Sequence, residues 1–162
     1  MNPKTVLIVC TGNICRSPMA YGLLKAKLDR LGLSPHIRVE TAGTFALDGE
    51  PPSPEAQRVL AERGIDISHH RARTVTPEML RRADLVIAMT ERHRRSLFFL
   101  LPEAGVKILL LSELVGEHKD IKDPYGGPYE GYVRTADLLE DYLERGLPTL
   151  LSRLDVSPPD EA

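Results

Sequence analysis

Three short aliphatic runs limit this fold more than any other feature: KTVLIV at 4–9, DLVIAM at 84–89 and VKILLL at 106–111. Such runs read as strands covered on both faces, the pattern of a parallel sheet. A fourth segment, HIRVET at 36–41, alternates as a strand does. Helical patterns lie between them. Ala20, Leu23, Leu24, Leu28 and Leu31 recur at helical spacing before Gly32 stops the pattern. Residues 54–63 read as a helix closed by Gly64, 76–82 as a short helix and 91–100 as a basic one. A long helix carrying Tyr132, Leu138, Leu139, Tyr142 and Leu143 extends to Leu154. Strands alternating with helices specify an α/β fold, a parallel sheet with helices on both faces. Active sites in such folds lie beyond the carboxyl ends of the strands. Cys10 falls at that end of the first strand.

The 162 residues suffice for one core. The expected division is a single domain over 1–155 and a frayed tail, VSPPDEA, over 156–162. Lys plus Arg number 21 against 23 Asp plus Glu, a formal charge of -2 that favours neither nucleic acid nor an anionic membrane as partner. The apolar run at 6–9 is too short for a signal segment or a membrane span, so the expected location is cytoplasmic. Only two cysteines occur, Cys10 and Cys15, too few and too close for a disulfide scaffold.

The chemistry sits in the loop Cys10-Thr11-Gly12-Asn13-Ile14-Cys15-Arg16-Ser17-Pro18. Read as a strand, a tight turn and a helix start, it assigns Ser17 and Pro18 to the cap and first turn. Gly12 admits a positive φ, so successive N–H groups can curl into an anion-binding nest, to which the helix adds its positive end. Arg16 offers a planar fork to two phosphate oxygens. The same field favours the thiolate of Cys10 over its thiol. A nucleophile and an oxyanion cradle in one loop suit phosphoryl transfer through a cysteinyl phosphate.

Other readings fit less well. A lone cysteine ending a strand is usually core. Half a zinc site would need a second cysteine pair, and the adjacent His69 and His70 suit chelation poorly. A nucleotide-binding loop would need a lysine and a second glycine that this one lacks.

The loop CTGNICRSP resembles the signature of the low-molecular-weight protein tyrosine phosphatases. The resemblance continues through TAGT at 41–44, GIDISHHRAR at 64–73, ADLVIAM at 83–89 and DPYGG at 123–127, nearly the whole chain. It implies a four-stranded parallel sheet flanked by helices, with the phosphate-binding loop (Thr11, Gly12, Asn13, Ile14, Cys15, Arg16, Ser17) after the first strand. It implies no metal and no cofactor. The expected partner is a phosphorylated protein, acted on by a monomer or weak dimer.

A leaving group needs a proton, and Asp123 matches the family's general acid, held by Pro124. With Cys10 ionised and Asp123 protonated, activity should favour mildly acidic pH. By resemblance Asn13 holds the loop, with Thr41 and His70 as supports, although His70 also reads as a surface histidine. Ser17 serves either the sulfur or the helix cap. Arg71, Arg73, Arg81, Arg82, Arg92, Arg94 and Arg95 read as solvated faces. Cys10 and Cys15 match a pair that closes a reversible, protective disulfide in the family.

Ile14 gives an apolar floor for an aromatic ring, with Tyr125 and Phe45 as walls. These features favour phosphotyrosine. The related protein-arginine phosphatases place threonine at the position of Ile14, yet FALD at 45–48 is shortened and lacks the tryptophan usual in the tyrosine branch. AGTFA at 42–46 and AMT at 88–90, with Thr90 where tyrosine phosphatases usually have aspartate, also look more like the arginine branch. Tyr21 stands where the family commonly has glutamate. Phosphoarginine is therefore the alternative substrate. Arsenate reductases share this scaffold but need further redox cysteines, and a non-catalytic phosphate-binding module needs no nucleophile.

Overall fold

The computed structural model describes residues 2–158. Four strands form one sheet in the order β2-β1-β3-β4, every pairing parallel. The strands are β1 (Lys4–Cys10), β2 (Ile37–Gly43), β3 (Leu85–Ala88) and β4 (Ile108–Leu110). The α-helices are α1 (Arg16–Arg30), α2 (Pro54–Ala61), α3 (Pro77–Arg82), α4 (Glu91–Leu100) and α5 (Tyr129–Arg153). The expected α/β fold and its four-stranded parallel sheet are both present.

β1 explains the two layers. Its central position buries both faces, which is why KTVLIVC carries no polar alternation after Thr5. Val6, Ile8 and Cys10 join a core with residues of α1, α2 and α5. Leu7 and Val9 point the other way, into a second core with Leu80 of α3 and Leu97 of α4. The connection after β1 leads outward to β2 and that after its neighbour β3 leads the other way to β4, so a crevice opens at the carboxyl ends of these two strands.

Several boundaries differ from expectation for local reasons. The expected strand at 106–111 is shorter because Pro102–Lys107 forms a 3-10 turn that leaves Val106 89 % exposed. Leu111 starts a second such turn. β2 runs two residues past Thr41, since its last residues pair with Val9 and Cys10. The α2 segment ends early, and Gly64 takes a φ of 77° in the turn that follows. Thr76 caps α3 rather than belonging to it.

Of the expected tail, 159–162 lie outside the described residues; the Val156 N–H bonds the Leu151 carbonyl. Among the described residues no helix is long and apolar enough to cross a membrane.

Candidate active site

The turn after β1 is held by Asn13. This residue, rather than Gly12, takes the positive φ (59°), a conformation that asparagine tolerates. It is wholly buried, so each polar atom needs a partner. Its Nδ2 donates to Ser17 Oγ at 2.8 Å and its Oδ1 accepts from the Arg73 N–H at 3.0 Å. Its carbonyl lies 2.8 Å from His70 Nε2. His70 is buried, and that burial lowers its proton affinity despite the bond to Asn13. Neutral His70 therefore donates from Nε2 to this carbonyl. Thr41 reaches the loop indirectly: its carbonyl accepts from Arg73 Nε at 2.9 Å. Arg73 is thus a structural clasp, where sequence suggested a solvated cation.

Cys10 Sγ lies 3.0 Å from Ser17 Oγ, buried at the base of the turn. Since Asn13 already donates to that oxygen, the Ser17 hydroxyl proton is free for the sulfur. Ser17 is not the helix cap. Helix α1 begins at Arg16, behind Cys15 and with no side-chain cap. The hydroxyl that could have capped it is turned toward Cys10 instead.

Arg16 is almost completely buried. Its Nη1 donates to the Ile121 carbonyl at 2.7 Å, and Nη2 donates to Thr11 Oγ1 at 3.3 Å. Nη2 also stands 3.5 Å from Asp123 Oδ2. Among the described residues Nε has no hydrogen-bond partner. An orphaned donor on a buried cation marks a place built for an anion.

Cys10, Arg16 and Asp123 line one cavity of about 160 Å³, with Thr11, Gly12, Ile14, Cys15 and Tyr125. Asp123 Oδ1 accepts from the Tyr125 N–H at 3.1 Å, which fixes the carboxylate at the mouth. Asp120 does not line the cavity and accepts from the Glu91 N–H at the start of α4. Ile14 and Tyr125 form apolar walls. Phe45 is 80 % exposed and does not line the cavity. Cys15 Sγ lies 3.3 Å from Ser53 Oγ and 3.7 Å from the Tyr132 hydroxyl; burial pushes its thiol up. Among the described residues no cluster of three or more His, Cys, Asp or Glu is placed to hold a metal ion.

Sequence reasoning missed two positions. Gly43 lies where β2 passes the loop, and a Cβ there would collide with the Thr11 carbonyl oxygen. Its only signal was its place in TAGT. His93, hidden among arginines in ERHRR, is buried with Nε2 2.8 Å from Thr11 Oγ1. Among the other arginines, Arg94 pairs with Glu91 and Glu113 and holds the start of α4 to the turn after β4.

Residues 5–155 match the family described as low molecular weight phosphotyrosine protein phosphatase. A protein-arginine-phosphatase of Geobacillus stearothermophilus is 41 % identical over 144 residues, 88 % of this chain and 93 % of that protein. A probable low molecular weight protein-tyrosine-phosphatase, EpsP, of Ralstonia solanacearum is 43 % identical over 122 residues, 75 % of this chain and 79 % of that one. The crystal structure of a low molecular weight protein tyrosine phosphatase from T. tengcongensis superposes with a TM-score of 0.85 at 46 % identity, covering 90 % of this chain and 99 % of that one.

Proposed function

The chain belongs to the low molecular weight phosphotyrosine protein phosphatase family, and on that premise we propose that it hydrolyses phosphotyrosine in proteins, with Cys10, Arg16 and Asp123 as its catalytic residues. The observation that carries this reading is the Arg16 fork. Two of its nitrogens are pinned and the third is left unpartnered, beside a cavity that also holds Cys10 and Asp123.

In the first step the Cys10 thiolate attacks phosphorus, forming the S–P bond as the P–O bond to the tyrosine breaks. Asp123 gives its proton to the departing phenolate oxygen. Arg16 and the N–H groups of the turn stabilise the charge on the equatorial oxygens. In the second step water attacks phosphorus and gives a proton to Asp123. The S–P bond breaks, releasing inorganic phosphate and restoring the thiolate with the Ser17 hydroxyl beside it. The loop shape that makes this possible rests on Asn13 and His70. The setting in this reading is a reducing cytoplasm, where the Cys10 sulfur stays available as a nucleophile.

Substrate choice rests on Ile14 and Tyr125, whose apolar surfaces suit a phenyl ring. Phosphoarginine is the second reading, with the same chemistry. The relative from Geobacillus supports it, as does Thr90. Turnover of phosphotyrosine and phosphoarginine peptides by wild type and Ile14→Thr separates the two. Wild type should prefer phosphotyrosine and Ile14→Thr should move toward phosphoarginine. A wild-type preference for phosphoarginine would reverse the specificity assignment and leave the mechanism standing.

A further inference from the structure

Thr90 and His93 meet next to Thr11 of the phosphate loop and do not themselves line the cavity. Thr90 Oγ1 accepts the His93 backbone N–H at 3.2 Å as the cap of α4, and lies 3.0 Å from His93 Nδ1. The other ring nitrogen, Nε2, lies 2.8 Å from Thr11 Oγ1. That oxygen also accepts from Arg16 Nη2 at 3.3 Å. A continuous chain of hydrogen bonds therefore runs from a helix cap to the guanidinium.

The chain has a direction. Thr90 Oγ1 already accepts from the backbone, so its own proton needs an acceptor, and Nδ1 is within reach. A neutral imidazole carries one N–H and one lone pair. With the lone pair on Nδ1 taking the Thr90 proton, Nε2 bears the hydrogen and donates to Thr11. Thr11 Oγ1 then accepts twice, from His93 and Arg16, and its own proton is free to point into the cavity that Thr11 lines. An aspartate at 90 would run the chain backwards. A carboxylate only accepts, so Nδ1 would hold the hydrogen and Nε2 would draw the Thr11 proton away from the cavity.

We infer that His93, with its tautomer set by Thr90, is a positioning residue that makes the Thr11 hydroxyl a donor to a phosphoryl oxygen and steadies the Arg16 fork. The inference rests on the phosphatase reading above. It also needs a neutral ring: burial, aided by the Arg16 charge, pushes His93 down to about 4. The ring is therefore uncharged at neutral pH.

The test compares wild type, His93→Leu and His93→Gln, each with and without Thr11→Val. Three quantities are read: kcat and KM on an aryl phosphate, equilibrium binding of inorganic phosphate by calorimetry, and Tm. His93→Leu should lower kcat and weaken phosphate binding about tenfold, the worth of one donor to an anion. His93→Gln, which keeps an N–H near the place of Nε2, should stay within about threefold of wild type. With Thr11→Val already present, His93→Leu should cost less than about twofold more, because the two act through one hydroxyl.

The inference is overturned if His93→Leu costs as much with Thr11→Val as without it, or if His93→Gln is no better than His93→Leu. Should the His93 variants not fold, Thr11→Val alone decides: unchanged phosphate affinity overturns the proposal, and a loss of about tenfold supports it. Wild type that binds phosphate but hydrolyses no ester would defeat the enzyme reading, and the binding measurements would still judge the role of His93.

Discussion

The floor of the cavity and its rim are built by opposite rules. On the floor, Asn13 makes three hydrogen bonds, Arg16 two, and Ser17, His70 and Arg73 are spent on holding one turn. At the rim, Tyr125 is 65 % exposed and Gly126 takes a φ of 81° in a short turn. The contrast shows where the molecule needs rigidity. Charge stabilisation at phosphorus requires donors fixed before the substrate arrives. A protein side chain approaching from solvent is met by surfaces with little else to satisfy. Floor residues should therefore couple rate to stability, whereas rim residues should affect substrate handling alone.

The comparison breaks most sharply at Cys10. Cys10→Ser should cut kcat by about 10⁴-fold or more with Tm little changed, because the loss is the nucleophile itself. Steady-state kinetics beside a melting curve checks it, and substantial residual turnover would sink the covalent mechanism. Asn13→Ala should lose both properties. It strips buried partners from Arg73 and Ser17 and places alanine at a positive φ, costing about 2–3 kcal/mol in chemical denaturation along with activity.

The buried histidines sharpen the contrast through pH. Both His70 and His93 are held below the ordinary histidine range by burial. Between about 6.5 and about 4 the unfolded chain takes up protons that the folded chain refuses. Stability from this source is thus complete above about pH 6.5 and falls as pH drops toward 4. His93 should contribute on the order of 1–3 kcal/mol to that slope, and denaturation of His93→Gln across this range should show a shallower fall. The smallest effect is expected at the rim. Tyr125→Ala should raise KM for a phosphotyrosine peptide by about tenfold or less, with Tm unchanged. A drop in Tm comparable to that of Asn13→Ala would erase the distinction between floor and rim.

Much of this was legible in the sequence, and the gaps have physical causes. The run at 4–9 declared a buried strand because a strand covered on both faces has no room for polar residues. The loop declared the site because few chemistries need those residue types together, whereas DPYGG alone reads as a turn and drew its role from the family resemblance. Ser17 read either as the helix cap or as a partner of the sulfur, because serine before proline usually caps; the fold turns its hydroxyl to Cys10. Gly12 was given the positive φ by habit of glycine; Asn13 takes it because three bonds compensate its strain. His93 stayed invisible because a contact from the first turn of α4 to Thr11 crosses 82 positions that no local pattern links. β4 was overextended because Val106 is as apolar as its neighbours, although Pro102 had already set a tighter turn.

The central claim is that Cys10 sulfur becomes bonded to phosphorus. Asp123→Ala, turning over an aryl phosphate with a good leaving group, should slow release of the phosphoryl group more than its capture. A rapid denaturing quench followed by ³¹P NMR and peptide mapping should then find phosphorus on the sulfur of Cys10. Steady hydrolysis with that sulfur never phosphorylated would contradict the account.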